Sequence, residues 1–142
     1  MRIGLYSELA RRNVAEIKRE IKRLRINPNA SQMKGFREKL LASDQPLHRV
    51  LHSISDFYSL SEFRDLLFHA QEHCFTIPQI QEELQGLGLI FCGLQQNRLI
   101  EEFKSANMEL DAPYDLEKWD EFEKNNPDAF VNMYDFWFQK IA

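Results

Sequence analysis

Two histidines and three carboxylates are the residues of this chain whose types and spacing could do chemistry together. His69-Ala70-Gln71-Glu72-His73 matches H-x-x-E-H. On a helix, two histidines four apart can both reach one Zn²⁺, and a nearby glutamate can activate its bound water. The same step of about 100° per residue puts Glu62 and Asp65 on the flank that carries His69 and His73. Such a flank could do acid–base work or hold a metal. A zinc hydrolase also needs a third ligand from a second helix. Glu82, Glu101 and Glu102 are candidates, and nothing in the sequence selects one. The plainer reading is a helix-end pair of histidines near the C-terminal dipole, hydrogen-bonded to Glu62 or Asp65.

Other reactive types offer less. Cys74 follows His73, but it falls on the apolar stripe of Phe63, Leu66, Leu67 and Ala70, so inert packing is expected. His48 and His52 stand four apart on a short helix without a carboxylate companion, and both read as surface histidines. No G-x-G-x-x-G, no G-x-x-x-x-G-K-[ST] and no G-x-S-x-G occurs. No phosphate cradle, dinucleotide loop or nucleophile elbow is therefore encoded.

The elements that must position these residues can be read from punctuation and period. Ser59 and Glu62 form the pattern of a capping box, and apolar positions from Phe63 to Cys74 recur at helical spacing. Thr76 and Gln79 form a second box, with Pro78 in the first turn, and Gly86 and Gly88 close that helix. Leu89 to Leu94 is a short apolar run after glycine, hence a buried strand. At the start, Ile3 and Leu5 alternate in a strand over Arg2 to Tyr6. Ser7 is expected to cap a helix whose inward face is Ala10, Val14, Ile17, Ile21 and Leu24, ending near Ile26 ahead of Asn27-Pro28. A second helix runs from Asn29 to Ala42, with Ser31 as its cap. A short helix covers Leu47 to Ile54. Helices over Leu99–Met108 and around Trp119 and Phe122 follow. Tyr134, Phe136 and Phe138 alternate in a final strand over Met133–Lys140. A strand with no lead-in, starting at the second residue, is unusual for a whole domain, because a sheet needs partners.

Composition sets the frame. At 142 residues the chain is read as a single domain. No signal peptide is apparent, and the longest apolar run, Leu87 to Leu94, is too short to span a bilayer. Cys74 and Cys92 both sit in apolar company. That suits free buried thiols in a reducing compartment, so a cytoplasmic location is expected. The net charge of −4 hides an asymmetry. Residues 1–52 carry twelve Lys/Arg against five Asp/Glu, a balance of +7, and residues 53–142 carry six against seventeen, a balance of −11. Solvated helix faces account for most such runs. The basic first helix lacks interleaved aromatics and any zinc or helix-turn-helix pattern, which argues against nucleic acid. Its apolar face is narrow and has no Trp or Phe, which argues against a membrane surface.

Three stretches carry a likeness to a known family: Met1-Arg2-Ile3-Gly4-Leu5-Tyr6-Ser7-Glu8-Leu9-Ala10-Arg11, Asp56-Phe57-Tyr58-Ser59-Leu60-Ser61-Glu62 through Pro78, and Trp119 to Lys140. They resemble the C-terminal portion of a class I S-adenosylmethionine-dependent methyltransferase domain, as found in bacterial proteins that join it to tetratricopeptide repeats. The resemblance implies a partial Rossmann-like α/β fold with a small three-stranded mixed sheet. Residues 2–6 would be the fifth strand of the family's sheet, 89–94 the sixth, and 133–140 the seventh, antiparallel and inserted between them. The helices of residues 29–54 would cap the substrate side. It also implies a transferase function. In such a function the flank of Glu62, Asp65, His69 and His73 is expected to supply His69 or His73 as general base, with Tyr6, Tyr58 and Glu72 as substrate-pocket residues. The family's glycine-rich donor loop and the acidic residue ending its second strand have no counterpart here. The chain is thus expected to be a fragment that does not bind S-adenosylmethionine alone and whose partner is the missing N-terminal half. A non-catalytic protein-interaction module is the competing reading, motivated by that absent loop and the split charge.

Overall fold

A computed structural model of the chain describes residues 1–69 and 72–142. They form two compact units, one of residues 1–11 and 73–142, the other of residues 12–72. The charge asymmetry follows the units. The first holds seven Lys/Arg and fourteen Asp/Glu, the second eleven and eight, so −7 and +3.

The first unit is an α/β layer. Its strands are β1 (Arg2–Ser7), β2 (Cys74–Phe75), β3 (Leu89–Leu94) and β4 (Tyr134–Lys140), in the order β2-β1-β4-β3. β4 is antiparallel to both neighbours, so β1 and β3 run the same way, and β2 lies parallel to β1. The last strand therefore lies between the first and the 89–94 strand, in the sense expected. The expected three-stranded sheet is corrected to four. β2 has two residues, too few for any period to show.

Alternation explains the layer's two faces. Tyr134 and Phe136 of β4 and Phe91 of β3 are buried, and Ser7 ends β1 fully buried. Tyr134, Phe136 and Phe91 make one core with Ile77, Ile80, Leu84, Phe103, Ala112, Trp119, Phe122 and Phe130. Arg2, Gly4, Asp135 and Trp137 fall on the alternate positions, where Arg2 Nε donates to Asp135 Oδ1 at 2.7 Å.

Three helices of this unit supply most of the rest of the core, α5 (Ile77–Gly86), α6 (Asn97–Ala106) and α7 (Leu116–Asn125), and Ala112 and Phe130 come from the turns on either side of α7. The capping box of α5 forms as expected, with Gln79 N–H donating to Thr76 Oγ1 at 3.3 Å and Thr76 N–H to Gln79 Oε1 at 2.9 Å. α6 starts and ends two residues earlier than its period suggested.

β3 shifts register between Phe91 and Gly93. Gly93 has φ +110°, a region nearly closed to residues with a Cβ. An added Cβ would lie 3.6 Å from the Tyr114 ring, an ordinary contact, so backbone strain decides the outcome. Gly93→Ala is expected to cost about 1–3 kcal/mol in urea unfolding, whereas Gly86→Ala, inside α5 with open space at its Cβ, should be neutral or slightly stabilising.

The second unit is helical: α1 (Arg12–Leu24), α2 (Ala30–Ala42), the single turn α3 (Pro46–Arg49), 3-10 turns over residues 50–53 and 55–57, and α4 (Leu60–Phe68). Val14, Ile17 and Ile21 of α1 are buried with Met33, Phe36, Leu40, Leu51, Phe57, Phe63, Leu66 and Leu67. Three expectations need correction. α1 begins at Arg12 rather than after Ser7, because Ser7 completes β1. Ser7 still caps, but it caps a turn: Ala10 N–H donates to its Oγ at 3.0 Å. Asn29, not Ser31, caps α2, accepting from Gln32 N–H at 2.9 Å. Ser59 precedes α4 in extended conformation, yet its side chain makes no capping bond.

Candidate functional site

His69, Glu72 and His73 of the H-x-x-E-H motif do not lie on a helix. α4 stops at Phe68, and His69 already has φ −65°, ψ 128°, which is extended backbone. Ala70 and Gln71 lie outside the described residues. His73 is exposed, immediately before β2. The expected helix from Ser59 through Cys74 is thus too long by about a turn and a half, and its end is taken by a strand that pairs with β1. Cys74 is correspondingly half-buried in β2 rather than on a helical stripe, and Cys74 and Cys92 are not joined in a disulfide. Among the described residues, no group of three His, Cys, Asp or Glu is placed to hold a metal ion.

The residues expected at a substrate pocket divide between the units. Tyr6 and His73 belong to the sheet unit. Tyr6 lies opposite Cys74 across the β1–β2 pair, so register brings Tyr6 beside the strand that His73 leads into. The Arg11 guanidinium stands 4.1 Å from the centre of the Tyr6 ring, a cation–π contact. Tyr58, His69 and Glu72 belong to the helical unit. The Tyr58 hydroxyl donates to the His52 carbonyl at 2.8 Å, on an otherwise exposed side chain. Lys18 Nζ lies 3.7 Å from Glu72 Oε2. Glu62, Asp65 and His69 are exposed.

Two arrangements escaped the sequence. The first is a cleft of about 470 Å³ beside the C-terminal half of β3. Gly93, Leu94 and Ile100 give it an apolar floor, and Lys104, Asn107 and Tyr114 bring polar groups to it. That volume suits a small molecule; the lining carries both signs, Lys104, which lies 3.7 Å from Glu101, and Glu109. In open α/β sheets, ligands gather at the carboxyl ends of strands, which is where Leu94 lies. The signal was weak. Met108, Leu110 and Tyr114 are large, exposed and aperiodic, and they sit in what reads only as a loop.

The second is a buried trio. Ser7 Oγ donates to Glu123 Oε1, and the Tyr134 hydroxyl donates to Glu123 Oε2 at 2.7 Å. All three are almost wholly buried. One carboxylate thereby ties α7 to the end of β1 and the start of β4. Burial pushes the Glu123 carboxyl up from its ordinary value, against the pull of the two hydroxyl bonds. Burial also raises the Tyr134 phenol, and the Glu123 carboxylate beside it adds to the rise. A signal existed here: Leu116, Trp119 and Glu123 share one helical face, so an acid occupies an inward position.

His48 also departs from expectation. It is buried, not superficial, and Glu20, 28 residues earlier, is its carboxylate companion. Chain separation hid that pairing. No protein-family model matches the chain, and no curated protein matches it in sequence.

Proposed function

We propose that this chain is the C-terminal, substrate-side part of an S-adenosylmethionine-dependent methyltransferase of Rossmann-like fold. The observation that carries the reading is the sheet order: a last strand antiparallel between two strands that run together. A cleft beside the end of β3 and a half-buried Tyr6 near the end of β1 add room for an acceptor.

The residues present do not fit the methyl donor. Of the five glycines, Gly86 and Gly88 are the nearest pair, and they close α5 rather than link a strand to a helix. The reading therefore assigns donor binding to polypeptide other than these residues, and the residues here to the acceptor. The proton from the accepting N–H or O–H group would go to His73, with Tyr6 as a contact on the sheet unit, or to His69, with Tyr58 and Glu72 as contacts on the helical unit.

The decisive test reads the coding sequence on the 5′ side of the Met1 codon. An in-frame glycine-rich loop between a strand and a helix supports the proposal, and an in-frame stop with no such loop counts against it. Titration of the 142-residue chain with S-adenosylmethionine by calorimetry is expected to show no binding. Tight binding would contradict the division of labour. In a longer polypeptide that transfers methyl groups, His69→Ala plus His73→Ala should slow transfer about a hundredfold or more, the usual range for loss of a general base. Unchanged turnover would remove the histidines from the proposal.

A further inference from the structure

A hydrogen-bond relay lies in the helical unit, apart from every residue assigned above. His48, on α3, is buried with its ring held at both nitrogens. Nε2 lies 2.9 Å from Glu20 Oε2 on α1, and Nδ1 lies 2.7 Å from Ser43 Oγ, just past the end of α2. The chemistry of the neighbours fixes the tautomer. A carboxylate only accepts, so the imidazole carries its proton on Nε2 and donates it to Glu20. Nδ1 then holds a lone pair, and the Ser43 hydroxyl donates to it. Gln45 N–H donates to the same Ser43 oxygen at 3.3 Å, which leaves the serine proton directed at the imidazole.

We propose that Glu20, His48 and Ser43 form a nucleophilic relay in which Ser43 accepts an acyl group from small carboxylic esters. Nucleophile to base and base to orienting carboxylate are both within hydrogen-bond reach, the arrangement that activates a serine. Ser43 is half-buried, and its neighbours Ala42, Asp44 and Gln45 are exposed, so an ester can approach from solvent. Among the described residues, nothing accepts from the Asp44 N–H. That group follows the nucleophile, where an oxyanion donor is wanted. In the reaction, Ser43 Oγ bonds to the ester carbonyl carbon as its proton passes to His48 Nδ1. The ester C–O bond breaks, and His48 returns the proton to the departing alkoxide. Water then attacks the acyl-serine by the same route, releasing the acid and restoring the hydroxyl. Ser43 and His48 are the catalytic residues, and Glu20 is a positioning residue.

The test is labelling of the full chain with an alkyl fluorophosphonate, read by intact mass and peptide mapping. Ser43 Oγ bonds to phosphorus, fluoride leaves, and the serine proton goes through His48 to solvent. One adduct is expected, on Ser43, and none in Ser43→Ala. His48→Gln should label about a hundredfold more slowly or less. Because His48 is buried, Glu20→Gln is the second variant: it should keep the helical circular dichroism of the parent yet label about tenfold more slowly, with Glu20→Asp recovering part of the rate. No adduct on Ser43, equal labelling of Ser43→Ala, or an unchanged rate in folded Glu20→Gln would each overturn the relay.

Discussion

Trp119→Ala is expected to remove a large part of the stability of the sheet unit. The Trp119 ring stacks on Phe103 with centroids 3.7 Å apart and planes 15° off parallel. It meets Phe122 and Phe130 edge-on at 5.6 and 6.1 Å. Its Nε1–H donates to the Pro113 carbonyl at 3.0 Å, which fastens the turn before α7 to the helix. Truncation deletes the largest fully buried side chain of that core and leaves a cavity that the fused ring system cannot refill. Losses of this kind run to about 3–5 kcal/mol, against a total of about 5–15 kcal/mol for a small domain. Thermal unfolding followed by circular dichroism should show Tm lowered by more than about 12 °C. Trp137→Ala is the control. Trp137 is 44 % exposed, on the alternate face of β4, and the change should cost under about 1 kcal/mol. Equal losses for the two would mean that the aromatic stack is not what holds this unit.

Glu123→Ala is the second large effect. It leaves two buried hydroxyls, those of Ser7 and Tyr134, without their acceptor, and it opens space between α7 and the strands. Each orphaned group costs about 1–3 kcal/mol, so a loss of about 3 kcal/mol is expected in urea unfolding at pH 7. Glu123→Gln keeps the volume and one acceptor oxygen. It should cost about 1 kcal/mol or less, because removing a buried charge offsets the weaker bond. The pH dependence separates the two effects. The Glu123 carboxyl is raised above 4.5 in the folded chain. Between 4.5 and that higher value the folded state binds more protons than the unfolded one. Its contribution to stability is therefore fullest below pH 4.5 and is lost as pH rises through the folded value. Parent stability minus that of Glu123→Gln should fall as pH is raised from 4 to 8. A difference that rises, or stays flat, would mean that the carboxyl is not desolvated. Asp135 works in the opposite sense. Its bond to Arg2 holds it below its ordinary 3.8, so its contribution is present above that value and fades in acid. The comparison with Glu123→Gln cancels it.

Local signals were legible where neighbours in sequence are also neighbours in space. Thr76 and Gln79 cap α5 because the bonds span three residues. Tyr134 and Phe136 declare β4 by alternation, and Val14, Ile17 and Ile21 declare the inward face of α1. What failed were signals with a rival. Ser59 has the residue type of a cap and makes no capping bond. The apolar spacing from Phe63 to Cys74 suits a helix, but the last residues are claimed by pairing with β1, which the local pattern does not contain. With the helix cut short, His69 and His73 lose the common face that made them look like a metal pair.

Sequence alone determined the helices and strands whose apolar residues recur at one period, the absence of phosphate and nucleophile-elbow loops, and three of the four strands of the mixed sheet. Tertiary structure decided the fourth strand, the cleft beside Gly93, and the company of each buried polar group: Glu123 with Ser7 and Tyr134, His48 with Glu20 and Ser43. The physical reason is range. Capping and amphipathic period act over a few residues and are written locally. A buried carboxylate or imidazole is held by partners up to 116 residues away, and only the folded chain brings them within 3 Å.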